Sequence, residues 1–169
     1  RMARRGRIIR PFTIREYQDS DETQLVGLIR ELQTLELPLY RWGKQPEDIG
    51  PWYVQVAKEQ CAKYEGSILV AEAENLLLGY ATIMTKCEDD ENDDEIAYTY
   101  AQIYDLVVTR SARRKGIGNA LMQACEDKAR SAGRKIFRIG VLAQNTGAIA
   151  AYQNFGFAPY HQTLEKILE

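Results

Sequence analysis

Apolar and polar positions follow one another along this chain in two different periods. In the N-terminal third, four apolar residues recur at helical spacing: Leu25, Leu28, Ile29 and Leu32. Ser20 or Asp21 precedes them, and either side chain suits a helix N-cap. The same 3.6-residue period, together with glycine stop signals, predicts helices over 21–37, 52–64, 117–132 and 145–155.

Shorter apolar runs predict the strands. Residues 67–73 and 76–85 are separated by Glu74-Asn75, which is typical of an antiparallel hairpin. Further strands are predicted over 8–15, 96–108, 135–142 and 157–168, and Pro11 places the first near a sheet edge. Strands and helices in this order indicate an α/β fold, with a mixed, mostly antiparallel twisted sheet flanked by helices on both faces.

Composition and charge limit the class of protein. The 169 residues carry a net charge of −2, which argues against a general nucleic-acid binder. No apolar run approaches the ~20 residues of a membrane span, and no signal-peptide pattern is visible. We expect a disordered arginine-rich leader over 1–7 and a single domain over 8–169.

The cysteines and the histidine give no metal pattern. Three widely spaced cysteines and one histidine form neither a disulfide framework nor a zinc site. Cys125 falls on an apolar helix face, which favours packing over catalysis. His161 is expected at the surface of the last predicted strand. The chain is therefore expected in a reducing cytoplasm, without a structural metal.

Residues 103–118 combine a strand, a basic glycine turn and the start of a helix. The first amides of a helix lack intrahelical partners, and the helix dipole favours an anion beside them. Gly116 and Gly118 carry no Cβ, so a phosphate can approach their backbone, and Arg113, Arg114 and Lys115 add positive charge. The turn is either a diphosphate cradle or a plain strand-to-helix connection with solvated basic side chains.

Two familiar phosphate loops do not fit this turn. A Walker loop needs Gly-Lys-Ser/Thr, but Asn119 and Ala120 follow Gly118. A dinucleotide fingerprint needs a third glycine at the position that Leu121 occupies, directly after a strand.

A third pattern does fit. Arg113-x-x-Gly116-x-Gly118, behind the strand Leu106-Val107-Val108, resembles the acetyl-coenzyme A motif of the GNAT superfamily of N-acetyltransferases. A second, downstream pattern is similar to the C-terminal signature of the same superfamily: Asn145-x-x-Ala148-x-x-x-Tyr152-x-x-x-Gly156-Phe157. Two patterns in the family's order and spacing indicate a GNAT fold over the whole ordered chain.

The resemblance implies an acetyl-CoA site along this strand and turn. The backbone of the strand would pair with the pantetheine arm as an added strand does, and the turn would surround the pyrophosphate. The residues carried over as cofactor-binding are Leu106, Val107, Val108, Arg113, Arg114, Lys115, Gly116, Ile117, Gly118, Asn119, Asn145 and Tyr152.

The resemblance also suggests catalytic residues. Tyr152 matches a position where relatives often place a phenol near the thioester sulfur, and a phenol can protonate a thiolate; core packing is its other interpretation. The general base stays open, because Gln102 cannot act as one and Tyr104 would need a water. Asp105 is the nearest carboxylate, but strand alternation sets it opposite Tyr104 unless a bulge intervenes.

The sequence leaves the acceptor undetermined. We expect acetyl transfer by direct attack of a primary amine, of a small molecule or a protein, in a ternary complex. The acidic segment 88–95 would either steer a cationic amine or remain a solvated loop. Homodimers are common among relatives. The alternative function is a non-catalytic acyl-CoA-binding or sensor module on the same fold.

Overall fold

A computed structural model of the chain describes residues 11–89 and 96–168. The leader 1–7 and residues 90–95 of the acidic segment lie outside the described residues. The described strands are β1 (Thr13–Glu16), β2 (Ser67–Ala73), β3 (Leu76–Asp89), β4 (Tyr98–Val108) and β5 (Phe137–Ile139). The described α-helices are α1 (Glu22–Glu36), α2 (Pro51–Lys63), α3 (Ile117–Ser131) and α4 (Thr146–Phe155).

The strands form one sheet in the order β1-β2-β3-β4-β5. The pairings from β1 to β4 are antiparallel, and β4 pairs with β5 in parallel. A parallel neighbour needs a crossover connection, and α3 supplies it between β4 and β5. The predicted mixed, mostly antiparallel sheet and the edge position of β1 are confirmed.

Two hydrophobic cores lie on opposite faces of this sheet. The first core packs α1 and α2 against one face and contains Leu25, Ile29 and Val54. The second packs α3 against the other face and contains Leu121 and Cys125. Full burial of each large apolar side chain contributes roughly 1.5–3 kcal/mol, so both helix layers are held by their apolar faces. Cys125 is completely buried, as its apolar helix face predicted.

The start of α1 differs from the prediction in its hydrogen bonding. Asp21 occupies the N-cap position, but its side chain makes no cap hydrogen bond to α1. Its carboxylate accepts instead from the Arg15 guanidinium at 2.7 and 2.9 Å and from the Gln18 amide at 2.8 Å. Asp21 therefore joins β1 to the chain that enters α1.

The predicted strand over 157–168 is wrong. No strand is assigned after Gly156, and the side chains from Ala158 to Leu168 are exposed, Leu164 by 87%. Alternation in this stretch is only partial, and Pro159 has no amide to offer a neighbouring strand. Tyr160 instead stacks on the Arg138 guanidinium at 4.3 Å, and His161 is exposed, as expected.

The described chain shows neither a membrane span nor a metal cluster. Within 11–89 and 96–168, no helix has both the length and the apolar character needed to cross a bilayer. In the same ranges, no three His, Cys, Asp or Glu side chains group so that they could hold a metal ion.

Candidate active site

β4 carries one extra residue opposite β3. Asp105 pairs with Thr82 and Ile103 pairs with Ile83, so Tyr104 has no partner in β3. A bulge of this kind reverses the face to which the following side chains point. Ile103 accordingly lies in the core on the α3 side, whereas Val107 lies in the core beneath α1 and α2. Asp105, two residues before Val107, therefore faces α1 and α2.

Two phenols donate hydrogen bonds to the Asp105 carboxylate. The Tyr53 hydroxyl of α2 lies 3.2 Å from Oδ2 and 3.4 Å from Oδ1, and the Tyr80 hydroxyl of β3 lies 3.2 Å from Oδ2. Burial raises the pKa of Asp105 to about 6, while the two phenol donors act in the opposite direction. A carboxylate that titrates near neutral pH is suited to general base catalysis.

Glu36, at the end of α1, is a second carboxylate beside Asp105. Burial raises its pKa, and the negative charge of Asp105 raises it further. The charge of Glu36 in turn contributes to the raised pKa values of Tyr53 and Tyr80. Glu36 is not among the candidates that the sequence suggested, although its position four residues after Leu32 places it on the apolar face of α1.

Tyr152 comes from a different element than Asp105. It is a residue of α4 at the border of the α3-side core, with its ring 6.3 Å from that of Phe157. Burial raises the pKa of Tyr152 to about 12, and the charge of Glu36 adds to this effect. At neutral pH its hydroxyl is therefore protonated and can donate. Tyr104, the bulged residue, is 63% exposed.

β4 extends beyond its parallel partner. The pairing with β5 covers residues 101–103 of β4 and ends at Ile103 with Ile139, while β4 continues to Val108. Within the described chain, residues 104–108 therefore have no strand partner on their β5 side. Unpaired backbone groups at a strand edge can bind an extended ligand by β-augmentation. Leu106, Val107 and Val108 all belong to this free segment, in which the Val108 carbonyl already accepts from the Arg113 side chain.

The turn after β4 leads directly into α3. Gly116 is the N-cap of α3, and no side chain caps the helix. Its φ of +82° and the φ of +58° at Arg114 are left-handed, and a Cβ added at Gly116 would meet nothing within 4 Å. Gly118 is similarly open, with Val108 Cγ2 as the nearest atom at 3.8 Å. The unpaired first amides of α3 and the open space beside both glycines fit a diphosphate.

The basic side chains of this turn do not all point outward. Arg113 Nε donates to the Val108 carbonyl at 2.9 Å, and Lys115 Nζ donates to the Ser111 carbonyl at 3.1 Å. Arg114 and Asn119 are exposed. The side chain of Ile117 is buried in the α3-side core, so Ile117 offers its amide only.

Glu31 fixes the turn to α1. It accepts hydrogen bonds from the Thr109 hydroxyl at 2.8 Å and from the Arg110 amide at 2.7 Å. Arg113 approaches the same carboxylate at 3.6 Å. Nothing in the local sequence separates Glu31 from other helical acidic residues, so this anchor was also missed.

Asn145 lies at the start of α4, and its Oδ1 accepts from the Ala148 amide at 3.2 Å. The side-chain oxygen is therefore a helix cap, which leaves its NH₂ group as the donor for a ligand. Asn145 and Tyr152 are thus both held in position by α4. Asp105 lies within the free segment of β4, near its start, and the glycine turn follows the end of that segment.

Known proteins resemble this chain in family and in fold. Residues 28–157 match the acetyltransferase (GNAT) family. An uncharacterized N-acetyltransferase of Methanocaldococcus jannaschii is 37% identical over 57 residues, which are 34% of this chain and only 25% of that relative.

Two solved structures share the fold. A mutant BH1408 protein from Bacillus halodurans has a TM-score of 0.82 at 21% identity, over 93% of this chain and 99% of its own. The aminoglycoside N-acetyltransferase AAC(6')-Iy, bound to the bisubstrate analogue CoA-S-monomethyl-acetylneamine, has a TM-score of 0.71 at 16% identity, over 94% and 99%.

Proposed function

This chain belongs to the acetyltransferase (GNAT) family, and we propose that it transfers the acetyl group of acetyl-CoA to a primary amine. One observation carries the proposal: the unpaired segment of β4 connects the open glycine turn to the Asp105 carboxylate. A ligand with a diphosphate at one end and a thioester at the other would fit along that segment, with the diphosphate at the glycine turn. The acceptor amine would then lie between Asp105 and the reacting carbonyl.

The proposed cofactor contacts are mainly backbone contacts. The amides from Arg114 to Asn119 would bind the diphosphate at the start of α3. The backbone of Leu106 and Val108 would pair with the pantetheine arm, and an amide of this segment would stabilise the developing oxyanion. When bound, acetyl-CoA supplies the activated acyl group as a thioester.

Asp105 is the proposed general base. An alkylammonium group must lose a proton before its nitrogen can attack, and Asp105 with a pKa of about 6 is largely ionised at neutral pH. Asp105 takes that proton before the attack; the neutral amine then forms the C–N bond, and its second proton passes to solvent as the C–S bond breaks and the thiolate leaves. The carboxylate is half-buried beside α2, so bulk water competes weakly for the site.

Tyr152 is the proposed donor to the leaving thiolate. Its pKa of about 12 lies above the ordinary value of a thiol, ~8.5. Tyr152 therefore stabilises the thiolate first as a hydrogen-bond donor, and solvent restores any proton that it releases. Tyr152 comes from α4 and Asp105 from β4, so the proposed donor and base belong to different elements.

We further propose a small cationic molecule as the acceptor. Asp105 and Glu36 give the site two neighbouring carboxylates, which suits an amine that carries more than one positive charge. The AAC(6')-Iy structure holds a CoA-linked acetylneamine analogue, which supports a polyamine among the candidates.

The test is coenzyme A release from acetyl-CoA against a panel of amines. The panel would contain linear polyamines, neamine, a lysine peptide and a peptide with a free N-terminus. We expect turnover with at least one cationic small molecule and its loss in Asp105→Asn. If calorimetry shows tight acetyl-CoA binding and no amine of the panel is acetylated, the sensor function replaces this proposal.

A further inference from the structure

The two oxygens of the Asp105 carboxylate have unequal surroundings. Oδ2 accepts from both phenols, at 3.2 Å from Tyr53 and 3.2 Å from Tyr80. Oδ1 has only the 3.4 Å contact with the Tyr53 hydroxyl, the longest of the three contacts, all of which exceed the roughly 2.5–3.0 Å usual between two hydrogen-bonded oxygen atoms. A carboxylate oxygen can accept two hydrogen bonds. Oδ2 is therefore fully used, and Oδ1 keeps capacity for a further donor.

Both phenols are held by structure that does not depend on Asp105. Tyr80 is 1% exposed within the core beneath α1 and α2, on the strand that pairs with β4. Tyr53 is in the first turn of α2, where its amide donates to the Gly50 carbonyl at 3.0 Å and its ring lies 5.6 Å from that of Trp52. Two donors from separate elements restrict the carboxylate to one orientation.

We propose that Tyr53 and Tyr80 are positioning residues, which bind Oδ2 of Asp105 and thereby present Oδ1 to the acceptor amine. This inference rests on the proposed function of Asp105 as the general base. The phenols act through the carboxylate and not on the amine or the thioester. They fix which oxygen takes the proton and in which direction it points.

The same hydrogen bonds oppose the burial of the carboxylate. Burial raises the pKa of Asp105, and each phenol donor lowers it because it stabilises the charged form. The titratable groups that surround Asp105 come from four elements: Glu36 of α1, Tyr53 and Cys61 of α2, Tyr80 of β3 and Tyr104 of β4 itself. Removal of one phenol hydroxyl should therefore raise the pKa of Asp105 further.

The direct test is a carbon-13 NMR titration of protein labelled at the aspartate carboxyl carbons. Asp105→Asn identifies the Asp105 signal, and Glu36 carries no label. In Tyr53→Phe we expect the Asp105 midpoint to move upward by about one pH unit, which is a typical effect of a hydrogen bond to a charged group. Tyr80→Phe should shift it in the same direction.

Tyr17→Phe is the matched control. Tyr17 packs against the same core, and in the described chain its buried hydroxyl has no hydrogen-bond partner. The change in the side chain is identical, so a general effect of losing a buried hydroxyl would appear here as well. We expect the Asp105 midpoint to stay unchanged.

The acetylation assay separates this inference from the proposed function. In Tyr53→Phe, the acidic limb of the pH profile of kcat/KM should move to higher pH together with the NMR midpoint. At the optimum pH, loss of the carboxylate orientation should lower kcat by at least about tenfold. If the midpoint and the limb match the unsubstituted protein, the positioning role is refuted even when Asp105→Asn is inactive. If Asp105→Asn keeps full activity, the proposed base itself fails.

Discussion

The glycine at the start of α3 provides the sharpest test of cofactor binding, through Gly116→Ala. Gly116 has a φ of +82°, and Gly133, beyond the other end of α3, has a φ of +73°. A Cβ added at either position would meet nothing within 4 Å. The two glycines therefore differ mainly in location, and Gly133→Ala is a matched control for backbone strain.

The expected stability loss is the same for both variants. An L-residue in the left-handed region costs roughly 1–2 kcal/mol, and no clash adds to this value because the surrounding space is open. For a chain of this size, 1 kcal/mol corresponds to a fall of about 2–4 °C in Tm. Thermal unfolding without ligand should show similar losses for the two variants.

The expected binding results differ between them. The open space beside Gly116 is where the proposed diphosphate would approach, so a methyl group there should raise the Kd for coenzyme A by at least about tenfold, or 1.4 kcal/mol. Gly133→Ala should bind coenzyme A as the unsubstituted protein does. Isothermal calorimetry measures both values. Equal affinities for the two variants would refute a diphosphate site at this turn.

Three further predictions concern the reacting groups. Tyr152→Phe should lower kcat by about 100-fold, within the usual range for a lost acid–base group, while calorimetry gives an unchanged Kd for coenzyme A; equal losses in both would indicate a packing role instead. Asp105 has a folded-state pKa of about 6 against an ordinary 3.8, so the folded protein binds the proton more tightly and stability falls as pH rises through that window. Asp105→Asn should therefore be inactive yet more stable by up to about 3 kcal/mol at pH 8, as urea unfolding would measure, and no gain over the unsubstituted protein at pH 8 would contradict the raised pKa. Glu36→Gln should raise KM for a diamine by about tenfold and hardly affect a monoamine, with the exposed Glu59→Gln as the control; equal effects on the two amines would exclude a charge role for Glu36.

Much of the fold could be predicted, because its elements have strong periodic patterns. The helices α1, α2 and α3 and the hairpin of β2 and β3 lie within a few residues of their predicted bounds. The final strand could not be predicted correctly, because partial alternation does not reveal whether a neighbouring strand is available. β5 is shorter than predicted, Phe137–Ile139 instead of 135–142.

The candidate site was only partly predictable, since its geometry depends on contacts between distant segments. Asp105 and Tyr152 were identified from the sequence, but the bulge at Tyr104 was not, because apolar residues follow it on both faces of β4. Tyr53 follows the helical spacing of the buried residues in α2, so the sequence pattern predicts only a core residue at this position. Only the folded chain shows that its hydroxyl reaches a carboxylate 52 positions away in sequence.

The extra residue in β4 also determines how this strand can vary in length. If Tyr104 instead took a regular place in the ladder, Asp105 would share a face with Ile103, in the layer of Leu121 and Cys125 and away from Tyr53 and Tyr80. Deletion of Tyr104, by contrast, would leave Asp105 directly after Ile103 and on its present face, so homologous chains that keep this carboxylate should accept either a bulged residue or a gap at position 104, but not a regularly paired one.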